Sequence, residues 1–242
     1  MNTRAKKVFS AALISGGLMF SGLSEAVLMD RGNGMIYDTV LDVTWLQDAN
    51  YAKTSGQHET GLMNWEQANA WAASLVYGGV SDWRLPTLSA ANSSAFEYGF
   101  AYDGSTDYGY NITSPNSELA YMYHVNLLNR GFYSMFGDES QLGWNETPNA
   151  FFRDGVTNQA KSIANLEANV FWTNLEYAPD NASFAWAFAT DFGVQSDLNK
   201  NGEYLAWAVR SGDIAAVPLP APVWFLGSSL LGLMGLRRKG AI

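Results

Sequence analysis

The chain is expected to fold as an α+β protein, one domain with helices early and an antiparallel meander late. Trp65, Ala68, Trp71, Ala72 and Leu75 recur at helical spacing behind Asn64, a good N-cap with Gln67 three places on. Phe184, Trp186 and Phe188 alternate with Ala185, Ala187 and Ala189, the period of a strand packed on both sides. Leu205, Trp207 and Val209 repeat that period. Helices followed by strands, rather than alternating with them, point to segregated α+β layers.

The elements follow in order. Residues 27–48 read as short strands joined at Gly32-Asn33-Gly34. The Asn64-capped helix ends at Gly78-Gly79, and Pro86 halts regular structure before Thr87, which can cap a second short helix. Residues 98–116, rich in Tyr, Gly, Ser, Asp and Asn, read as a long irregular loop. A third helix from about Glu118 to Asn129 carries Leu119, Met122, Val125 and Leu128 and stops at Gly131. Residues 143–161 are irregular again, and strands at 170–174, 184–191 and 204–210 close the domain.

Both ends have the composition of sorting segments. Arg4, Lys6 and Lys7 precede an apolar stretch from Val8 to Leu23, and Ser24-Glu25-Ala26 places small residues before Val27. Residues 1–26 therefore read as a secretory signal peptide, with an uncleaved N-terminal anchor as the alternative. At the other end stand Val217, Pro218, Leu219, Pro220 and Ala221, then an apolar run over 223–236, then Arg237, Arg238 and Lys239. Fourteen residues make about 21 Å of helix, short of the ~30 Å hydrocarbon core. That length suits transient membrane insertion with the basic cluster on the cytoplasmic side. Segment 215–242 resembles the VPLPA variant of the PEP-CTERM sorting signal, which implies recognition and cutting by an exosortase after signal peptidase has acted. A plain tail anchor is the alternative.

The domain between, 27–214, keeps 8 basic and 22 acidic residues, a net charge of −14. Such a surface repels nucleic acid and anionic lipid at long range. The chain has no cysteine, which excludes disulfides, thiolate catalysis and cysteine-zinc sites. The two histidines, His58 and His124, lie far apart in sequence and read as solvated or locally bonded surface residues.

Several blocks stand in a recognisable order: 42–49 (DVTWLQDA), 64–68 (NWEQA), 79–87 (GVSDWRLPT), 171–174 (FWTN) and 207–210 (WAVR). They resemble the Lcl C-terminal domain family, named for a Legionella collagen-like adhesin, over roughly residues 36–212. The resemblance implies a C-type-lectin-like fold and a binding role. Its signature residues here are Asp82, Trp83, Arg84, Leu85 and Pro86, read as structural: a core Trp and a guanidinium with several charge-assisted bonds. Ala73 and Ser211 stand where many members carry cysteines. The adhesin's association with sulfated glycans does not transfer to a domain at −14.

Candidate ligand contacts are the loop aromatics Tyr102, Tyr108, Tyr110 and Trp144, with Asn145 and the neighbouring Asp103, Asp107 and Asn111. Flat apolar faces suit sugar rings, and planar amides and carboxylates suit hydroxyls, so a neutral polysaccharide is the expected partner. Residues 197–202 match the first half of a calcium loop, giving Asp197, Asn199, Asn201 and Glu203 as a metal set. Residue 208, where the bidentate Glu belongs, is Ala208, and a hairpin turn is the simpler reading. No other cofactor is indicated. Three functions compete: an exported surface or matrix module binding glycan or envelope, a purely structural component of an exopolysaccharide matrix, and an enzyme of sulfatase-modifying-like fold.

Overall fold

The structure is a computed structural model, and it describes residues 27–92 and 94–214. The signal segment 1–26 and the sorting segment 215–242, helix 223–236 included, lie outside the described residues. No helix among the described residues is long and apolar enough to cross a membrane.

The protein is a mostly-sheet α+β fold with few helices and several antiparallel sheets. Strands β1 (Leu28–Gly32), β2 (Met35–Asp38) and β3 (Val43–Leu46) form a meander, with Gly32-Asn33-Gly34 at its first turn. All three of these turn residues have positive φ, which is why two are glycine and one asparagine. Short α1 (Tyr51–Thr54) and α2 (Trp65–Ser74) follow. Asn64 and Gln67 close a reciprocal capping box at the start of α2. Helix α2 ends before Leu75, and Gly78-Gly79 forms a tight turn between Tyr77 and Val80.

The stretch expected to be loop contains β4 (Phe100–Ala101) and β5 (Tyr108–Tyr110), paired in parallel. Helix α3 (Glu118–Tyr121) widens into a π-helical segment, Met122–Asn126. After the small hairpin β6 (Phe151–Arg153) and β7 (Ala160–Ser162) come β8 (Val170–Glu176), β9 (Phe184–Ala189), β10 (Val194–Asn199) and β11 (Val209–Ser211). One sheet runs β1-β2-β3-β11 and the second β4-β5-β10-β9-β8.

Three expectations need correction. No helix follows Pro86: Thr87 donates its N–H to the Glu118 carboxylate and Leu88 bridges to Ser117, so the chain stays extended. The third helix leaves α geometry after one turn, ending near Leu127. The meander's third strand is β10, not 204–210. Residues 204–209 are shared among elements, with Tyr204 bridging Met63, Leu205 bridging Phe171 and Val209 pairing Trp45. The period of two there reflects a crossing between two sheets rather than a strand within one.

Tryptophans fill the space where the sheets meet. Trp45 and Trp207 lie 4.7 Å apart, and Trp207 Nε1 donates to the Leu46 carbonyl. Trp172 Nε1 donates to the Met63 carbonyl. Trp207 and Trp172 thus bury large rings while satisfying their N–H groups, whereas the buried Trp45 Nε1 has no partner among the described residues. The 82–86 segment ties these parts together. Arg84 pairs through its backbone with Val209, and Asn174 of β8 donates to the Pro86 carbonyl.

Candidate functional site

Strand β9 positions the site. Phe184, Trp186 and Phe188 project from one face, while Ala187, opposite Trp172, keeps the other face low. Trp186 is 1 % exposed although no helix covers it. Its cover is aromatic: Phe96 and Tyr98 stack at 5.9 and 6.2 Å, and Tyr108 and Tyr177 approach at 6.1 and 5.0 Å. The rings continue along the sheet edge. Phe100 contacts Tyr102, Tyr108 and Tyr110, and Tyr102 and Tyr110 both meet Tyr133 at 5.0 Å. Phe132 extends the chain of contacts to Trp144 and Phe192. The outer rings stay open to solvent: Phe100 is 51 %, Phe192 43 %, Tyr102 37 % and Tyr98 36 % exposed.

This brings Tyr102, Tyr108, Tyr110 and Trp144 onto one continuous aromatic face. Tyr110 itself is buried, and burial with the nearby Tyr133 and Tyr102 pushes its phenol up to about 12. Tyr108 is raised by burial and then by the nearby Asp197 carboxylate. Both phenols therefore stay neutral near pH 7. Trp144 is held by Nε1 donating to the Asp191 carbonyl.

The neighbouring polar residues divide. Asp107 is buried and accepts from the Ala91 and Glu97 N–H groups, so it organises the loop before β4. Asn111 donates to the Tyr102 and Tyr133 carbonyls, fastening β5 to the 131–141 loop. Asn145 accepts from the Thr147 N–H in a local turn. Only Asp103 keeps a carboxylate with an open side, its Oδ1 accepting from Ser105.

Asp197 and Asn199 belong to strand β10, with the Asp197 carboxylate near Tyr108 and Asn199 accepting from the Asn201 N–H. Glu203 is exposed beyond the turn. Lys200, in the middle of this set, pairs with Glu176 at 2.6 Å and lies 4.4 Å from the Trp65 ring centre. Among the described residues no three His, Asp or Glu side chains are grouped to hold a metal ion.

Trp83 is buried, with Nε1 donating to the Val80 carbonyl. Arg84 holds Glu118 through two bonds of 2.7 Å and also donates to the Leu85 carbonyl. Leu85 and Pro86 are buried, and Asp82 is exposed with φ of 66°. His58 is locally bonded, its Nδ1 accepting from Gly61. His124 is locally bonded, as expected, through Nδ1 and the Asn129 carbonyl, but it is half-buried rather than solvated: it packs against Tyr123 and Phe188, and burial lowers its pKa to about 4.

Sequence reasoning missed Phe96, Tyr98, Phe100, Phe132, Tyr133 and Tyr177. A signal was present for part of the set, because Tyr98, Phe100 and Tyr102, like Tyr108 and Tyr110, stand at the strand period of two. No protein-family model, curated protein or solved structure matches this chain.

Proposed function

We propose that this chain is an exported, non-catalytic binding module of a bacterial surface or extracellular matrix, delivered by signal peptidase and an exosortase, whose aromatic face takes a neutral polysaccharide. The C-type-lectin-like assignment and the delivery route rest on the sequence blocks and end segments that resemble known ones. The ligand class rests on one observation: rings from Tyr177 to Trp144 form an unbroken edge, with four of them between 36 % and 51 % exposed. Exposed rings suit uncharged, flat-faced partners, and a net charge of −14 over residues 27–214 repels polyanions. A glycan array on residues 27–214 is the test. Phe100→Ala and Tyr102→Ala should each weaken a neutral hit by about several-fold without changing the melting curve. Neutral-sugar binding should hardly respond to salt, whereas polyanion binding must weaken as salt screens it. Salt-sensitive heparin binding would overturn the ligand class. Binding that needs calcium would direct attention to Asp197, Asn199, Asn201 and Glu203. An array with no hits would favour the purely structural matrix role.

A further inference from the structure

A cavity of about 540 Å³ opens where the aromatic face ends. Tyr102 is the junction: its ring packs 3.3 Å from where a Cβ on Gly137 would sit, and the next residue, Asp103, lines the cavity. Part of the lining is already satisfied. Gln141 donates to Asn111 and to the Gly131 and Tyr133 carbonyls, and Ser134 is bonded to Asp138. Four polar side chains of the lining keep unused groups: Thr113, Arg130, Asp103 beyond the Oδ1 that accepts from Ser105, and His124, whose buried Nε2 has no hydrogen-bond partner among the described residues. Among the described residues Arg130 has no ion-pair partner, and it does not reach Asp103 within 4.0 Å. The remaining rim is apolar and open, with Phe136 86 %, Leu128 79 % and Met135 57 % exposed.

Leu128 adds an independent observation. It holds φ of 57°, a left-handed conformation that costs a branched side chain on the order of 1 kcal/mol. The left-handed turn ends the π-helical segment, with the Asn129 N–H donating back to the Tyr123 carbonyl, and it leaves the leucine side chain turned to solvent on the cavity rim.

We propose that this cavity is a subsite for one uncharged sugar residue, the end or a branch of the polymer whose length lies along the aromatic face. The inference rests on that reading of the face. A sugar offers hydroxyls on its edge and C–H groups on its flat side, and the cavity offers polar groups on one wall and Phe136, Leu128 and Met135 on the other. The two wall charges select for neutrality. A hydroxyl donates to the Asp103 carboxylate and accepts from the Arg130 guanidinium, serving both at once. A ligand of either net charge would meet one like charge in the same cavity.

Titration calorimetry with linear hexasaccharides of glucose, mannose and galactose would test this, alongside glucuronic-acid oligomers and free amino acids. Arg130→Ala and Asp103→Asn should each weaken the best neutral hexasaccharide by on the order of ten-fold. Phe136→Ala should weaken it by about several-fold, and Val76→Ala, an exposed apolar side chain that lines neither the cavity nor the aromatic face, should have no effect. All of these residues are exposed, so unchanged melting curves are expected for each. If Tyr102→Ala weakens binding while Arg130→Ala, Asp103→Asn and Phe136→Ala do not, the subsite is wrong and the aromatic face stands. If the cavity variants weaken binding and Tyr102→Ala does not, the face reading fails and the cavity alone holds the sugar. Tighter binding of glucuronic-acid oligomers, or competition by a free amino acid, overturns the neutral ligand class. Absence of binding by every hexasaccharide overturns the subsite and the face together.

Discussion

Arg84 and Glu118 show how one charged pair can join distant parts of a chain. The guanidinium grips both carboxylate oxygens at 2.7 Å, and the same carboxylate accepts from Thr87, so the 84–87 stretch is tied at two points to one acidic side chain on α3. Glu118 is almost wholly shielded, with a side-chain exposure of 9 %. Arg84→Ala would strand that charge, and urea unfolding should show a loss of about 2–4 kcal/mol. Adding Glu118→Gln to Arg84→Ala should restore part of it, since the cost lies in the unpaired charge. His124 carries a pH-dependent term. Its folded pKa of about 4 lies below the ordinary value of 6.5, so the unfolded chain binds a proton that the folded one refuses. Its contribution is present above pH 6.5 and is lost as pH falls through 6.5 towards 4, an expected total loss of about 3 kcal/mol. Thermal melts of His124→Gln should show that pH dependence flattened between pH 6.5 and 4.

At the scale of elements, the parallel pairing of β4 with β5 decides whether the aromatic edge exists. Gly109 sits at φ of 132°, and a Cβ there would come within 1.9 Å of the Ala101 carbonyl oxygen. Only glycine lets the two strands close. Gly109→Ala should therefore separate β4 from β5, weaken oligosaccharide binding and raise hydrogen exchange at residues 100–101 and 108–110, while leaving exchange in β8 and β9 unchanged. Equal exchange in the variant and the parent would show that the pairing tolerates a side chain.

For the whole molecule, the proposed delivery route makes a prediction about mass. Surface protein recovered from the producing cells should begin near Val27 and lack everything after Ala221 or a residue close to it. Intact-mass measurement that finds Met1, or Arg237-Arg238-Lys239, in the final form would refute that route. The charge of −14 on residues 27–214 belongs to the same scale, because it acts on any polyanion before a single contact forms.

The sequence by itself determined the features that depend on near neighbours. The Asn64–Gln67 capping box, the Gly32-Asn33-Gly34 turn and the alternation of β9 each need only a few adjacent residues, and each was legible. Charge and the missing cysteines are likewise properties of composition. Tertiary structure decided what depended on distant partners. Residues 204–209 show a strand's period, yet their partners are split between Met63, Phe171 and Trp45. Thr87 has a cap's chemistry, yet Glu118, thirty-one residues away, takes its N–H. The aromatic face was half legible. Tyr102, Tyr108 and Tyr110 stood out by composition, but Tyr133, Phe132 and Tyr177 join them only because β4, β5, β10, β9 and β8 form one sheet. Local signals report what a backbone segment prefers. Which segments share a surface is settled by long-range pairing and burial, and the candidate site is a product of that pairing.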